Sequence, residues 1–291
     1  MSIISPSPQP AQDPRGTRAR AYKEGARMTR ERIAREAPLD AEALAGVEAA
    51  DIVVVSGIYD QVEQVLDALE MPCTRIGPGQ LAEVDLRPQQ LLVVNCPGEV
   101  GPVAIERIRD FVTEGGSLFT TDWALSHVVQ PAFPGTVEFN RRPTADDVVP
   151  IEILDHDNPF LAGVIDGRDD PQWWLEGSSY PITVVDPARV QVLITSRRME
   201  RRYGEAPIAV LIRWGQGEVF HMVSHYYLQR TELRNDRHRS GAATYFAEKG
   251  MAVPADADLE GLALGDLESA AGSSRFIANV IAQKKRKDGA R

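Results

Sequence analysis

Asp122 and His225 are the two side chains whose type and setting suit proton transfer. Each follows an apolar run of strand character, Ser117 to Thr121 before Asp122 and Val219 to Val223 before His225. Ligands in open parallel sheets gather beyond the C-terminal ends of the strands, so both residues are expected at that rim. Asp122 can orient His225, accept a substrate hydroxyl or bind a cation. It can also cap a helix starting at Trp123, because aspartate accepts the free amides of a first turn. Cys96 ends a third apolar run. A reactive thiol needs an electropositive, accessible setting, and a strand-end cysteine also serves as a small apolar filler. His221 and His225 are four apart, which on a strand is one face. With Asp122 they would make a His/His/Asp set. No HExxH or CxxC pattern accompanies them, and neither a metal nor a cofactor is expected. His127, a little beyond Asp122, can turn toward the same cleft.

The elements that must position these residues alternate. Asp51–Val55 is a short apolar run of the kind buried on both faces of a parallel sheet. Val62, Val65, Leu66 and Leu69 follow at helical spacing, and Pro72 closes that helix. Cys73–Ile76 and Leu91–Cys96 are the next strands, the latter closed by Pro97-Gly98. A helix from about Pro102 carries Ile105, Ile108, Phe111 and Val112 on one face and ends at Gly115-Gly116. The strand that breaks at Asp122 comes next. This rhythm predicts an α/β fold, a flavodoxin-like doubly wound parallel sheet. After about Pro150 strands occur without long helices between them, at Val190–Thr195, Ile208–Ile212 and Val219–Val223. Trp214 to Glu218 reads as a hairpin turn. The second half therefore adds an antiparallel extension, and Ser274–Lys285 a closing helix. Ala252 to Gly272 is acidic and Ala/Gly-rich and reads as a mobile loop. Arg197 to Tyr203 reads as a solvated hairpin tip, or else as a loop that binds anions or an acidic partner. Trp173 and Trp174 form a lid or partner anchor, or else one packs in the core while the other covers an edge.

The chain has 291 residues and a net charge of −10. That balance argues against a general nucleic-acid binder, which must neutralise phosphates. The basic residues are uneven: Arg15, Arg18, Arg20, Lys23, Arg27, Arg30, Arg32 and Arg35 fall near the start, and Lys284 to Lys287 near the end. Residues 1–49 are expected to be a flexible basic arm, Ser/Pro/Gln-rich over the first 14 or so, in which about Thr17 to Glu36 can also form a solvated basic helix, and residues 50–288 the folded domain. Two cysteines make no disulfide framework. No apolar run approaches the roughly 20 residues of a membrane span, and the first residues show no signal-peptide hydrophobic region. The expected compartment is the cytosol.

Several passages resemble the class I glutamine amidotransferase-like superfamily, in particular its trehalose-utilisation (ThuA-like) branch. Leu91–Gly98 is similar to the strand and Pro-Gly turn that supplies oxyanion-hole amides in active members. Phe111–Leu118 is similar to the helix, double-glycine and strand passage. Asp157–Val164, Gly215–Phe220 with Ser224-His225, and Phe276–Asn279 resemble later segments. Together they span about residues 50 to 285. The resemblance implies an elbow cysteine and a His-Pro-Glu sequence. This chain has Thr121, Asp122 and Trp123 at the elbow, and Tyr226 and Tyr227 after His225, so glutamine hydrolysis is not expected.

Two functions follow. The first is a noncatalytic amidotransferase-like domain that binds or assembles with protein partners through its basic termini or surface loops. The second is a hydrolase-like enzyme acting on a small polar compound, a carbohydrate or an amide, with Asp122 and His225 as acid and base. Cys96, Gly98, Trp123 and Tyr226 are the candidate binding residues.

Overall fold

The structure, a computed structural model, describes residues Pro14–Gly289. The Ser/Pro/Gln-rich opening of the expected arm lies outside these residues. Among those described, the strands are β1 (Ile52–Val55), β2 (Thr74–Ile76), β3 (Leu91–Val94), β4 (Ser117–Thr121), β5 (Val137–Phe139), β6 (Asp147–Pro150), β7 (Glu152–Ile153), β8 (Gln172–Leu175), β9 (Ile182–Val184), β10 (Val190–Thr195), β11 (Pro207–Trp214) and β12 (Gly217–Met222). Eight of them form one sheet in the order β2-β1-β3-β4-β12-β11-β10-β7. β1, β3, β4 and β12 are parallel neighbours, while β11, β10 and β7 continue the sheet antiparallel. This is the α/β, flavodoxin-like arrangement with an antiparallel extension that the alternating pattern predicts. β5 with β9, and β6 with β8, make two small antiparallel pairs.

β1, β3 and β4 are buried along their whole length. That is why their sequences are so poor in charge and do not alternate as a half-exposed strand would. Helix α3 (Val62–Ala68) follows β1, with Val62, Val65 and Leu66 buried. Helix α4 (Pro102–Thr113) buries Ala104, Ile105, Ile108, Phe111 and Val112. The β11–β12 hairpin turns at Gly215-Gln216, with Trp214 opposite Gly217.

Residues 14–45, expected as a flexible arm, form α1 (Pro14–Glu36) and α2 (Pro38–Ala45), both packed on the C-terminal helix Leu264–Gly289. α1 buries Ala21, Tyr22, Gly25, Ala26, Met28 and Ile33. Small residues let the two backbones approach: a Cβ on Gly25 would stand 2.8 Å from the Ala271 backbone nitrogen. Thr29 Oγ1 donates to the Ala271 carbonyl at 3.2 Å, and Tyr22 Oη to the Tyr226 carbonyl at 2.9 Å. The arginines are engaged within the chain: Arg20 with Asp258, Arg27 with Asp256, Arg30 with Glu70, and Arg32 with Glu36 and Asp166. A count of large apolar residues undervalues this segment, because Gly and Ala make its close approach to the C-terminal helix.

The C-terminal helix also begins earlier than expected, so the end of the segment read as a mobile loop is helical. Arg197–Tyr203 is a helix rather than a hairpin tip. Ser196 caps it by accepting from the Met199 amide, and Met199 is buried. Trp173 is buried and donates to the Val223 carbonyl, while Trp174 covers an edge under the guanidinium groups of Arg18 and Arg230. No described helix is long and apolar enough to cross a membrane.

Candidate functional site

The strand order reverses between β1 and β3, and the loops after these two strands meet at their C-terminal ends. Open α/β sheets bind ligands at such a switch point. Three strand ends deliver the chemistry: Cys96 after β3, Asp122 after β4, and His225 beyond β12. The Cys96 thiol, an Asp122 carboxylate oxygen and a His225 ring nitrogen all lie within 4.8 Å of one another. His225 Nε2 is 3.5 Å from Asp122 Oδ2.

Asp122 stands at φ +47°, in the left-handed region. A β-carbon is strained there, and such strain concentrates at functional sites. Its side chain does not cap the following helix. Instead Oδ1 accepts from the Tyr180 amide at 2.9 Å and Oδ2 from Ser179 Oγ at 3.1 Å. A loop from the second half of the chain, 178–180, therefore aims the carboxylate. Ser224, at φ +67°, breaks the strand geometry after β12. The period-two argument consequently does not extend from His221 to His225. His221 is fully buried against Thr120 Oγ1 at 2.9 Å and is not brought to Asp122.

Two carboxylates that the sequence pattern does not single out complete the cluster. Glu176, just after β8, bonds His225 Nδ1. Asp60, after β1, is 1% exposed and accepts from the amides of Gln61 at 2.7 Å, Tyr226 at 2.8 Å and Tyr227 at 3.3 Å. It thereby fixes the loop that carries His225. Neither residue sits in a motif, and only the packing of the loops after β1 and β8 against the β12 loop unites them. The Cys96 carbonyl accepts from the Ile58 and Tyr59 amides at 3.1 and 3.3 Å, tying the β1 and β3 loops together.

Burial and charge pull these groups apart in acidity. Burial works against the His225 imidazolium, but hydrogen bonds with Cys96 and Glu176 and the charges of Asp60 and Asp122 raise it to about 11. Burial pushes the Asp122 carboxyl up to about 6, against the opposing pull of His225 and its hydrogen bonds to Tyr180 and Ser179. Burial, with help from Asp122, raises the Cys96 thiol, while His225 opposes it.

Beside the cluster lies a polar cleft of about 350 Å³, its walls including Asp60, Glu176 and His225 together with Arg15 and Arg18 of α1. Tyr59 stacks on His225 with ring centres 6.2 Å apart and meets Trp123 edge-on at 5.3 Å. Of the residues expected at the site, Asp122, His225 and Cys96 come together, with Trp123 alongside. Gly98 packs against the helical segment that follows Asp122, where a Cβ would stand 2.9 Å from the Ala124 Cβ. Tyr226 turns its ring into the core against Phe119 and Trp173. His127 is held by the Pro97 carbonyl at 2.8 Å.

No protein-family profile matches the chain, and no curated protein matches it. Solved structures similar in outline include PurLQS from Thermotoga maritima, at 13% identity and a TM-score of 0.49, covering 79% of this chain and 98% of that one. A protein assigned as a GMP synthase component from Thermoplasma acidophilum is 10% identical with a TM-score of 0.46, covering 82% of this chain and 97% of that one. A β-galactosidase from Rahnella sp. R3 is 14% identical with a TM-score of 0.42, and the match covers 64% of this chain but 29% of the enzyme.

Proposed function

We propose that this chain is a hydrolase-type protein that takes a small polar molecule, a carbohydrate or an amide, into the cleft beside His225. The observation that carries the reading is the His225 Nε2 to Asp122 Oδ2 approach of 3.5 Å, with Glu176 held on the opposite ring nitrogen. Two neighbouring groups whose acidities are driven apart make an acid and a base. His225 holds its proton through neutral pH and donates it to a leaving group. Asp122, mostly ionised at pH 7, accepts a proton from the attacking water or hydroxyl. Glu176 orients the ring. The mixed charge of the cleft favours a polar ligand, and the exposed ring of Tyr59 offers a flat face beside it.

An amidotransferase-like origin, within the trehalose-utilisation branch, rests on the segments between Leu91 and Asn279 described above. Asp122 takes the elbow position, so the reading excludes a thiol at that point but keeps the elbow as a place of chemistry. The assembly role loses its first support, because basic residues of α1 and of the C-terminal helix meet partners inside the chain, among them Lys285 with Asp51 and Arg286 with Asp40. Surface loops are what remains to support it. Both cysteines are free thiols, which suits the cytosol as the compartment.

The test is a panel of small chromogenic glycosides, esters and amides, assayed with the full chain and with His225→Gln. Turnover that falls at least ~100-fold in the variant supports the reading. Absence of turnover across the panel, together with no ligand-induced rise in melting temperature, overturns it.

A further inference from the structure

The three side chains that meet at the rim are a thiol, a carboxylate and an imidazole, which is a metal-ligand set as well as an acid-base set. We infer that Cys96, Asp122 and His225 bind a divalent transition-metal ion of the zinc type, with Glu176 holding His225 from behind. This deepens the hydrolase-type reading and rests on it for the identity of the cleft as a ligand site.

Geometry is the first argument. Two oxygen or nitrogen donors each about 2.0–2.1 Å from a tetrahedral ion stand about 3.4 Å apart. Asp122 Oδ2 and His225 Nε2 are 3.5 Å apart. The Cys96 thiol completes a triangle within 4.8 Å. Binding requires the thiol to come to about 3.5 Å from the other two donors. Three protein donors leave one of four positions for water or a ligand, the pattern of catalytic rather than structural zinc. Of the three donors, His225 lies on the cleft wall.

The surroundings of the donors are the second argument. Metal-bound histidines donate their other ring nitrogen to a carboxylate or carbonyl, and metal-bound carboxylates are themselves hydrogen-bonded. Glu176 occupies His225 Nδ1, which leaves Nε2 for the ion. The Tyr180 amide and Ser179 hydroxyl hold Asp122. Charge is the third argument. Asp60 and Asp122, both buried, share the field of one imidazole with Glu176. A dication among them offsets that concentration of negative charge. A thiolate among the donors favours zinc-type ions over magnesium or calcium, which prefer all-oxygen sites. Binding releases the thiol proton and takes the place of the Nε2 proton. With the ion in place, Asp122 and His225 would be its ligands instead of the acid and base, and the ion would supply the activated water for the same class of hydrolysis.

The test uses the full chain, stripped with a chelator and titrated with cobalt(II) chloride. The expected result is one equivalent bound, with a thiolate-to-cobalt charge-transfer band and the strong visible bands of a four-coordinate ion. Cys96→Ser should remove the charge-transfer band, and Cys73→Ser should leave it intact. Glu176→Gln should weaken binding about 10- to 100-fold while the visible spectrum at saturation is retained. X-ray absorption on the zinc-loaded wild type removes any dependence on how the variants fold: one sulfur neighbour at about 2.3 Å supports the site. Failure of the folded wild type to take up one equivalent overturns it, as does a zinc shell of nitrogen and oxygen alone or an unchanged band in Cys96→Ser. Turnover by the stripped chain without uptake removes the metal and leaves the proposed function standing. Uptake without turnover or ligand binding does the reverse.

Discussion

Around His225, the carboxylates of Asp60, Asp122 and Glu176 gather on one imidazole at the edge of a cleft. Elsewhere in the molecule, the carboxylates of Asp166, Asp169, Glu248 and Glu268 meet lysine and arginine. Lys249 pairs with Asp166, and with Asp169 at 2.7 Å. Arg237 reaches Glu268 at 2.6 Å and Glu248 at 2.8 Å, and Arg32 of α1 joins Asp166. Both regions bury acids. The second holds them with permanent cations, whereas Asp122 is held by an amide, a hydroxyl and a titratable ring. The cation network ties α1, the loop at 166–170 and the C-terminal helix into a brace. The rim gains less for stability, because a buried carboxylate without a full counter-charge costs free energy. An arrangement that costs stability and sits at a switch point is the one expected to serve a ligand.

The largest effect should come from breaking the brace. Lys249→Ala leaves Asp169, 2% exposed at its side chain, with the Asp166 amide and, as counter-charge, a 3.5 Å contact with Arg237. Removing one partner of a buried pair costs roughly 3–5 kcal/mol, so chemical denaturation should show a loss of about that size. Ligand affinity per folded molecule should not change. A loss of affinity at full stability would reverse the assignment of the two regions.

Asp122→Asn should do the opposite. It removes a buried charge while keeping the shape and an oxygen that accepts from Tyr180 or Ser179. The melting temperature should stay level or rise, while turnover falls at least ~100-fold, equal to about 2.7 kcal/mol of activation free energy. A drop in stability similar to that of Lys249→Ala would mean that the rim is structural too.

The helix crossing tests whether α1 belongs to the brace. Gly25→Val places a branched side chain against the Ala271 backbone, which the close approach of 2.8 Å does not admit. Overpacking of this kind costs about 1–3 kcal/mol, read as a lower denaturation midpoint. An unchanged midpoint would return α1 to the status of a dispensable arm.

The smallest effect belongs to His221, which lies inside the sheet and joins neither region. Burial lowers its pKa to about 3, so the folded chain refuses a proton that the unfolded chain accepts near 6.5. Stability is therefore present above about pH 6.5 and is lost as pH falls from there toward 3. Between pH 6.5 and 5 the loss should be about 1.6 kcal/mol. Denaturation midpoints at the two pH values should differ less in His221→Gln. Equal slopes in both proteins would place the acid sensitivity elsewhere.

The core strands were legible because burial on both faces leaves a local mark. Val53, Val54, Leu92, Val93 and Leu118 need no partner in view to be read as sheet interior. The elbow at Asp122 and the strand-end position of His225 were legible for the same reason, since each follows such a run. That the two side chains would meet followed from the rule about strand ends in parallel sheets. The sequence by itself therefore determined the alternation, the core of the sheet and the strand-end members of the cluster. It allowed a solvated helix where α1 lies but did not determine its packing, whose close approach runs through Gly25, a residue too small to mark a buried face. Nor did it reveal Glu176 or Asp60, because these join the His225 loop across 49 and 166 positions of chain. The tertiary structure decided which carboxylates gather on the imidazole and which are matched by lysine and arginine. The physical reason is that burial of apolar surface is written locally, residue by residue, whereas the balance of charge depends on distances that exist only once the chain is folded.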